Sequence, residues 1–328
     1  MLKVAILSSW HVHAMEYAEL FNENSDATIT CVWDEDIVKG QEFADELGVP
    51  FEADLDLLLA RPDVDAVCVN APTNMHEEVI VKAANAKKHI FTEKVLAVTL
   101  PEAMAIKAAV EENNVKFTIC FPHKTMPRNL FAKRVLEAGL LGQVTYLRVR
   151  NAHGGASDGW LPDHFYNQEQ CGGGAMIDLG AHPMYLINWF LGMPESVSSA
   201  FTYVTGKAVE DNAVTIMKYA DGLIAVSETG FVSGSSAFVL EIHGTQGSLT
   251  INDNDISLQS SRLIDSDLYN GVIKPQELPE ELDHPVDNFI AGVLHDEAIV
   301  DLIDDAVVLT KLMVAAYKSH ETGGFVTV

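Results

Sequence analysis

The sequence predicts an α/β protein in two parts: a doubly wound parallel sheet at the N-terminus, then an α+β domain with a large, mostly antiparallel open sheet. Three observations carry this expectation. Over residues 1–121 short apolar runs alternate with helical patterns, as expected of parallel strands buried on both faces. Beyond Phe121 the texture changes to strands of period two separated by turns. The chain has 328 residues, 48% of them hydrophobic, which is enough apolar material for two packed cores. The expected domains are 1–121 and 122–328, with a C-terminal helix packing back on the first.

Taken in order, the first strand is expected at Lys3–Leu7 and the first helix at Ala14–Asn24. A β-branched, apolar strand follows at Ala27–Trp33, then an acidic helix at Val38–Leu47. Ala66–Asn70 is the third strand and Met75–Ala86 its helix, while His89–Thr92 and Lys116–Cys120 are strands flanking a helix at Pro101–Asn113. A helix at Leu130–Ala138 ends at Gly139. Alternating strands then occupy Val144–Arg150, Ser196–Val204, Ala213–Tyr219, Leu223–Phe231, Phe238–His243 and Ser248–Ile251. Helices return at Val286–Leu294 and Ala306–Ser319. Apolar residues such as Phe201, Tyr203 and Phe231 are expected on a sheet face turned away from the helices.

Charge narrows the partners. The 47 acidic and 21 basic residues give a formal charge of −26, which repels a duplex or an anionic membrane. No nucleic-acid or membrane partner is expected. Cys31, Cys68, Cys120 and Cys171 form no CxxC pair, and the first three lie in apolar runs. Reduced thiols in the cytoplasm are expected, with no metal site. The apolar run Leu2–Leu7 is shorter than a signal-peptide core.

A dinucleotide fold usually carries G-x-G-x-x-G after its first strand. Here the segment is Ser8-Ser9-Trp10-His11-Val12-His13, with no glycine. A helix N-terminus still offers N–H groups and a positive dipole end, and Ser8 and Ser9 add hydroxyls; a loop that merely caps the helix is the alternative. His11 and His13 as metal ligands would be a His-x-His pair without a nearby partner in sequence. Asp34 follows the second strand, where a carboxylate can accept hydrogen bonds from the adenosine ribose. An acidic turn is the alternative, since Glu35 and Asp36 follow. Glu93-Lys94 ends the fourth strand, which places a lysine at the mouth of a parallel sheet. Further on, Gly172–Gly174 precede Asp178 and His182, four apart and thus on one face if helical, an arrangement in which a carboxylate orients an imidazole. Pro183 would kink that helix or mark its start.

The order of these motifs resembles the Gfo/Idh/MocA family. Asn70–His76 is similar to its Pro-x-x-x-His turn, Glu93-Lys94-Val95 to its Glu-Lys-Pro, and His123-Lys124 with Pro127 to its basic residue and proline. Gly172–His182 is similar to Gly-Gly-Gly-x-x-x-Asp-x-Gly-x-His, Glu210-Asp211-Asn212 to the acidic turn before a central strand, and Gly244-Thr245-Gln246-Gly247 to Gly-Thr-x-Gly. The chain departs at the missing glycines, at Val95 for proline and at Lys124 for arginine.

The resemblance implies a Rossmann domain binding NAD, followed by a domain that binds substrate and forms a homodimer or homotetramer. It gives catalytic roles to Lys94, Asp178 and His182. Ser8, Ser9, Trp10, His11, Val12, Asp34, Asn70, Thr73, His76, Glu93 and Lys94 are the cofactor-binding candidates, and Lys124, His153 and Trp160 the substrate-binding ones. The implied reaction is hydride transfer between NAD(H) and a hydroxyl carbon of a sugar or inositol-like polyol. A non-catalytic nucleotide or sugar sensor and an NAD-dependent glycoside hydrolase are the alternatives.

Overall fold

The computed structural model describes residues 1–263 and 271–328. The chain divides into two compact units, Met1–Phe121 with Asp283–Thr310, and Pro122–Leu282 with Lys311–Val328.

In the first unit, β1 (Leu2–Leu7), β2 (Ala27–Trp33), β3 (Ala66–Val69), β4 (His89–Thr92) and β5 (Phe117–Ile119) form one sheet in the order β2-β1-β3-β4-β5. Every neighbouring pair is parallel. Helices α1 (Ala14–Glu23), α2 (Ile37–Leu47), α3 (Leu55–Leu59), α4 (His76–Asn85) and α5 (Leu100–Asn113) make the crossovers. Local chemistry sets their ends. The Asp36 carboxylate accepts from the N–H groups of Val38 and Lys39 to start α2, and Thr99 with Glu102 closes a capping box on α5. Because β1 lies between β2 and β3, the strand order reverses there, and the carboxyl ends of β1 and β3 border the crevice where such sheets take ligands.

The core of this unit includes Val4, Ile6, Phe21, Phe91 and Phe289, all 0% exposed. Phe91 meets Phe21 edge-on at 5.8 Å between ring centroids and Phe289 at 5.9 Å. Phe289 lies on a helix at Pro285–His295, α9 in chain order.

The second unit contains α6 (Pro127–Glu137), β6 (Val144–Ala152), α7 (Gln168–Cys171), α8 (Ala181–Leu191), β7 (Ser196–Thr202), β8 (Asn212–Lys218), β9 (Ile224–Gly230) and β10 (Val239–Gly244). Then come β11 (Gly247–Asn252), β12 (Asp255–Ser260), β13 (Gly271–Ile273) and β14 (Val326–Thr327). Helix α10 (Ile303–Thr322) contributes its later part, from Lys311, to this unit. The sheet has nine strands in the order β13-β12-β11-β10-β6-β9-β8-β7-β14. Only β6 and β9 run parallel; the other neighbours are antiparallel. Helix α8 packs on one face, against β6 and β9.

One expectation is corrected here. Phe201 and Phe231 do not lie on the face turned away from the helices. Both are buried, Phe201 against Tyr317 and His320 and Phe231 beneath His153. The face away from α8 instead carries half-exposed Val214, Ile216 and Ile224, the alternate residues of β8 and β9. Tyr203 is exposed, just beyond β7. Among the described residues, no helix is long and apolar enough to cross a membrane.

Candidate functional site

The crevice of the first unit is built from four strand ends. At the end of β1, Ser8 adopts φ 76°, the left-handed conformation that the first glycine of a phosphate turn usually supplies. Its N–H donates to the carbonyl of Trp33 at 2.6 Å, which ties the turn to β2. Ser9 donates to the Asp34 carboxylate twice, from its N–H at 2.8 Å and its hydroxyl at 2.7 Å. The second Asp34 oxygen accepts the N–H of Asp36 at 2.8 Å. A carboxylate offers about four lone-pair positions. Three are engaged, which leaves one acceptor position open.

At the end of β3, Asn70 is fully buried and its side-chain oxygen has no hydrogen-bond partner. A buried acceptor left open at a strand mouth suits a ligand donor. Thr73 sits half-buried in the short turn Thr73–Met75 that leads into α4. His76 is different. One of its ring nitrogens lies 3.1 Å from the Leu96 carbonyl and the other 3.0 Å from the Ala71 carbonyl. Both nitrogens face backbone carbonyls, and the ring lies between the loop after β4 and the loop after β3.

That loop carries Glu93 and Lys94. The Lys94 N–H donates to Glu93 Oε1 at 2.9 Å, and its ammonium lies 3.9 Å from the same oxygen. Glu93 Oε2 is 3.2 Å from His13 Nδ1 and 3.8 Å from His11 Nδ1, and it also accepts from the Tyr17 hydroxyl. Burial would raise the Glu93 carboxyl, but His11, His13 and Lys94 together hold it well below the usual range. The ligand atoms of His11, His13 and Glu93 lie within 4.8 Å of one another. The Lys94 ammonium and Tyr17 hydroxyl already compensate Glu93, so the group reads as a hydrogen-bonded charge network. The sequence missed it, because 80 residues separate His13 from Glu93.

In the second unit, His182 lies in the first turn of α8, together with Pro183, whose missing N–H has no partner to lose there. Asp178 is not on this helix. It belongs to the turn ahead of it, which corrects the expectation that the two residues share a helical face. The group that holds His182 Nδ1 is the Tyr185 hydroxyl, 2.9 Å away and three residues on. Tyr185 also accepts the His123 N–H at 3.1 Å, and the His123 ring stacks on His182 with centroids 4.3 Å apart. Lys124, half-buried, shares the short turn Pro122–Lys124 with His123. The His-x-x-Tyr spacing on one helix was the available signal for Tyr185.

The triple glycine ahead of this turn wraps a buried carboxylate. Glu210 Oε1 accepts the N–H groups of Gly174 and Met176, each at 2.9 Å, and the Tyr317 hydroxyl at 2.5 Å. A Cβ on Gly174 would stand 2.1 Å from the Glu210 carbonyl oxygen. Asp211 beside it accepts from the N–H groups of Val204 and Thr205, so the acidic pair serves architecture. Elsewhere in this unit, His153 stacks on Phe231 at 5.2 Å and leans on Trp160 at 4.7 Å, with Trp160 exposed.

Two family models match the chain. One, described as an oxidoreductase family with an NAD-binding Rossmann fold, matches residues 7–121, and the GFO/IDH/MocA C-terminal domain matches residues 130–250. The chain belongs to the Gfo/Idh/MocA family. It is 30% identical over 233 residues to a scyllo-inositol 2-dehydrogenase (NAD(+)) of Bacillus subtilis, covering 69% of this chain and 66% of that protein. It is 26% identical over 226 residues to a levoglucosan dehydrogenase of Pseudarthrobacter phenanthrenivorans, covering 60% of this chain and 57% of that protein. The matched stretch thus spans less than two thirds of either relative's length. A structure of levoglucosan dehydrogenase in complex with NADH and levoglucosan superimposes with a TM-score of 0.84 at 20% identity, covering 100% of this chain and 99% of the other. At that identity the likeness concerns the fold.

Proposed function

We propose that this family member is an NAD-dependent dehydrogenase that interconverts a secondary hydroxyl and a carbonyl on a sugar or inositol-like polyol. The observation that carries the reading is an imidazole fixed at the head of α8, in a chain whose N-terminal domain matches an NAD-binding oxidoreductase family. The relatives named for scyllo-inositol and levoglucosan support the substrate class. The open Asn70 oxygen, the Asp34 carboxylate and the left-handed Ser8 fit a dinucleotide on the sheet's edge. When bound, NAD accepts the hydride released from the hydroxyl carbon.

The chain's own groups handle the proton. For His182 to act as base, Nε2 must carry the lone pair, which requires the proton on Nδ1, donated to the Tyr185 oxygen. That oxygen also accepts the His123 N–H, and its second lone pair can take the Nδ1 hydrogen, so the site accommodates the tautomer suited to a base. Lys94 is the proposed cation that stabilises charge on the reacting oxygen, with Glu93 compensating it beforehand. Asp178 is the proposed second carboxylate of the catalytic set. His153, Trp160 and Lys124 are the proposed substrate contacts, since a tilted aromatic pair beside polar edges suits the mixed faces of a sugar. Trp10 and Val12, half-buried and exposed in the first turn, complete the proposed cofactor contacts. The four cysteines are buried and free of disulfides, which supports a cytoplasmic location.

A panel of inositols, anhydrosugars and aldoses, followed by nicotinamide absorbance, tests the proposal. Net oxidation or reduction with one group of them is expected. Tight NADH binding without turnover across the panel would favour a sensor, and sugar release without net cofactor change would favour a hydrolase.

A further inference from the structure

Most backbone donors of the first turn are engaged within the protein. The Ser9 N–H goes to Asp34 at 2.8 Å, Trp10 to the Ser8 hydroxyl at 3.1 Å, and His11 to the Asn70 carbonyl at 3.1 Å. The His13 N–H goes to His11 Nδ1 at 3.3 Å and Ala14 to the His11 carbonyl at 3.0 Å. In a glycine-rich turn these are the groups that meet a pyrophosphate. Here most of them are spent on the protein itself, and side chains are the further source of donors. His13 is the accessible one, with its side chain 37% exposed, while the Glu93 carboxylate beneath it is 3% exposed. A carboxylate so buried, paired with two imidazoles and an ammonium, forms a preset electrostatic base for an anion-binding ring.

We propose that His11 and His13, backed by Glu93, replace the glycine cradle as the group that takes the cofactor's pyrophosphate, and that His13 binds it only as the imidazolium. The inference rests on the NAD reading above. Its chemistry is a single proton. With Nδ1–H donated to Glu93, His13 Nε2 carries a hydrogen only when the ring is charged, and that hydrogen then makes a charge-assisted bond to a phosphate oxygen. In the neutral ring the same position presents a lone pair, which repels the phosphate.

The groups around His13 allow this. His11, Glu16 and Tyr17 face it from its own segment, Glu93 and Lys94 from the loop after β4, and His284 from the start of α9. Burial lowers the His13 midpoint, but the Glu93 hydrogen bond and charge outweigh burial and the net shift is upward. Burial lowers His284, so that ring stays neutral at neutral pH. Affinity should be full at acidic pH and lost as pH rises through the His13 midpoint.

The test is calorimetric titration of the full chain with NADH, from about pH 6 to about pH 9, with adenosine as a ligand that lacks the pyrophosphate. The expected wild-type result is a Kd that weakens at least about tenfold over this range, while adenosine affinity stays flat. His13→Gln, checked for fold by circular dichroism, should bind NADH about tenfold more weakly at the acid end and show no pH dependence. A wild-type Kd that is constant with pH, or a His13→Gln protein with wild-type affinity and slope, would overturn the proposal. So would NADH binding that is abolished by a chelator and restored by zinc, since the three groups would then hold a cation. Failure to bind NADH at any pH would instead remove the NAD reading itself, along with the inference.

Discussion

At the scale of single residues, the strongest expectation concerns the proton. A positioned base contributes roughly 10²–10⁴-fold to such a step. His182→Ala should lower turnover at least about a hundredfold with NADH affinity and melting temperature near wild type; Lys94→Ala should lower turnover as much, and because it leaves the buried Glu93 without its ammonium it should also lower the melting temperature. Stopped-flow turnover of either variant at wild-type rate would take that residue out of the mechanism. Asp34 carries the second expectation. Its carboxylate is fixed by Ser9 and Asp36, and Lys39 is the first cation after it in sequence. A 2′-phosphate would meet a like charge there, about 4 kcal/mol at 4 Å for an effective dielectric near 20, before screening. Even a quarter of that prefers NADH over NADPH by roughly fivefold. Asp34→Ser should narrow the gap, also loosening Ser9; equal affinities in the unmodified protein would mean that Asp34 only braces the turn. Candidate residues could be named where the chemistry is local, as at Lys94 and His182. Contacts between distant segments were not legible: nothing in the order of residues shows that Glu93 lies under His13, or that both His76 nitrogens face carbonyls.

At the scale of elements, the parallel strands and their helices followed from apolar runs and caps, with boundaries close to those observed. Ala27–Trp33 and His89–Thr92 were placed to the residue. Strands β12 and β13 were not foreseen: Asp255–Ser260 has only two apolar side chains, and Gly271–Ile273 is three residues long. The triple-glycine turn was recognised by pattern, yet its physical reason lies elsewhere in the chain. Gly174 is glycine because the Glu210 backbone crosses it, and the turn's N–H groups hold the Glu210 carboxylate. Gly174→Ala must move one of the two, so it should lower stability by about 3 kcal/mol or more, whereas Gly48→Ala, with φ 69° but open space around it, should cost only about 1 kcal/mol. Denaturant midpoints of the two variants measure the difference, and equal losses would show that the turn yields freely. Burial raises the Glu210 carboxyl above its ordinary value, with Tyr317 and three backbone donors opposing. By linkage its contribution is fully present below the unfolded midpoint and is lost as pH rises through the folded one.

At the scale of the whole molecule, the sheet face away from α8 presents Val214, Ile216 and Ile224, each 37–40% exposed, on adjacent strands. Beside them Arg148 is held by Glu228 at 2.8 Å and Glu241 at 3.0 Å, so these three charges are already paired and can be covered at reduced cost. An apolar sheet face of this kind is seldom left to water, and a two-fold axis lets it cover itself. The opposing term is the formal charge of −26 on each copy. Two such surfaces repel over about a Debye length, near 8 Å at physiological ionic strength and about 30 Å at 0.01 M. We therefore expect a homodimer, or a dimer of dimers, whose association tightens as salt rises, the opposite of a contact made by ion pairs. Light scattering at micromolar concentration in low and physiological salt measures it. Ile216→Lys adds an unpaired charge at the centre of the patch and should shift the mass toward the monomer by at least about tenfold in dissociation constant. A monomer mass for the unmodified protein at both salt concentrations would mean that the half-exposed aliphatic residues are tolerated as ordinary surface.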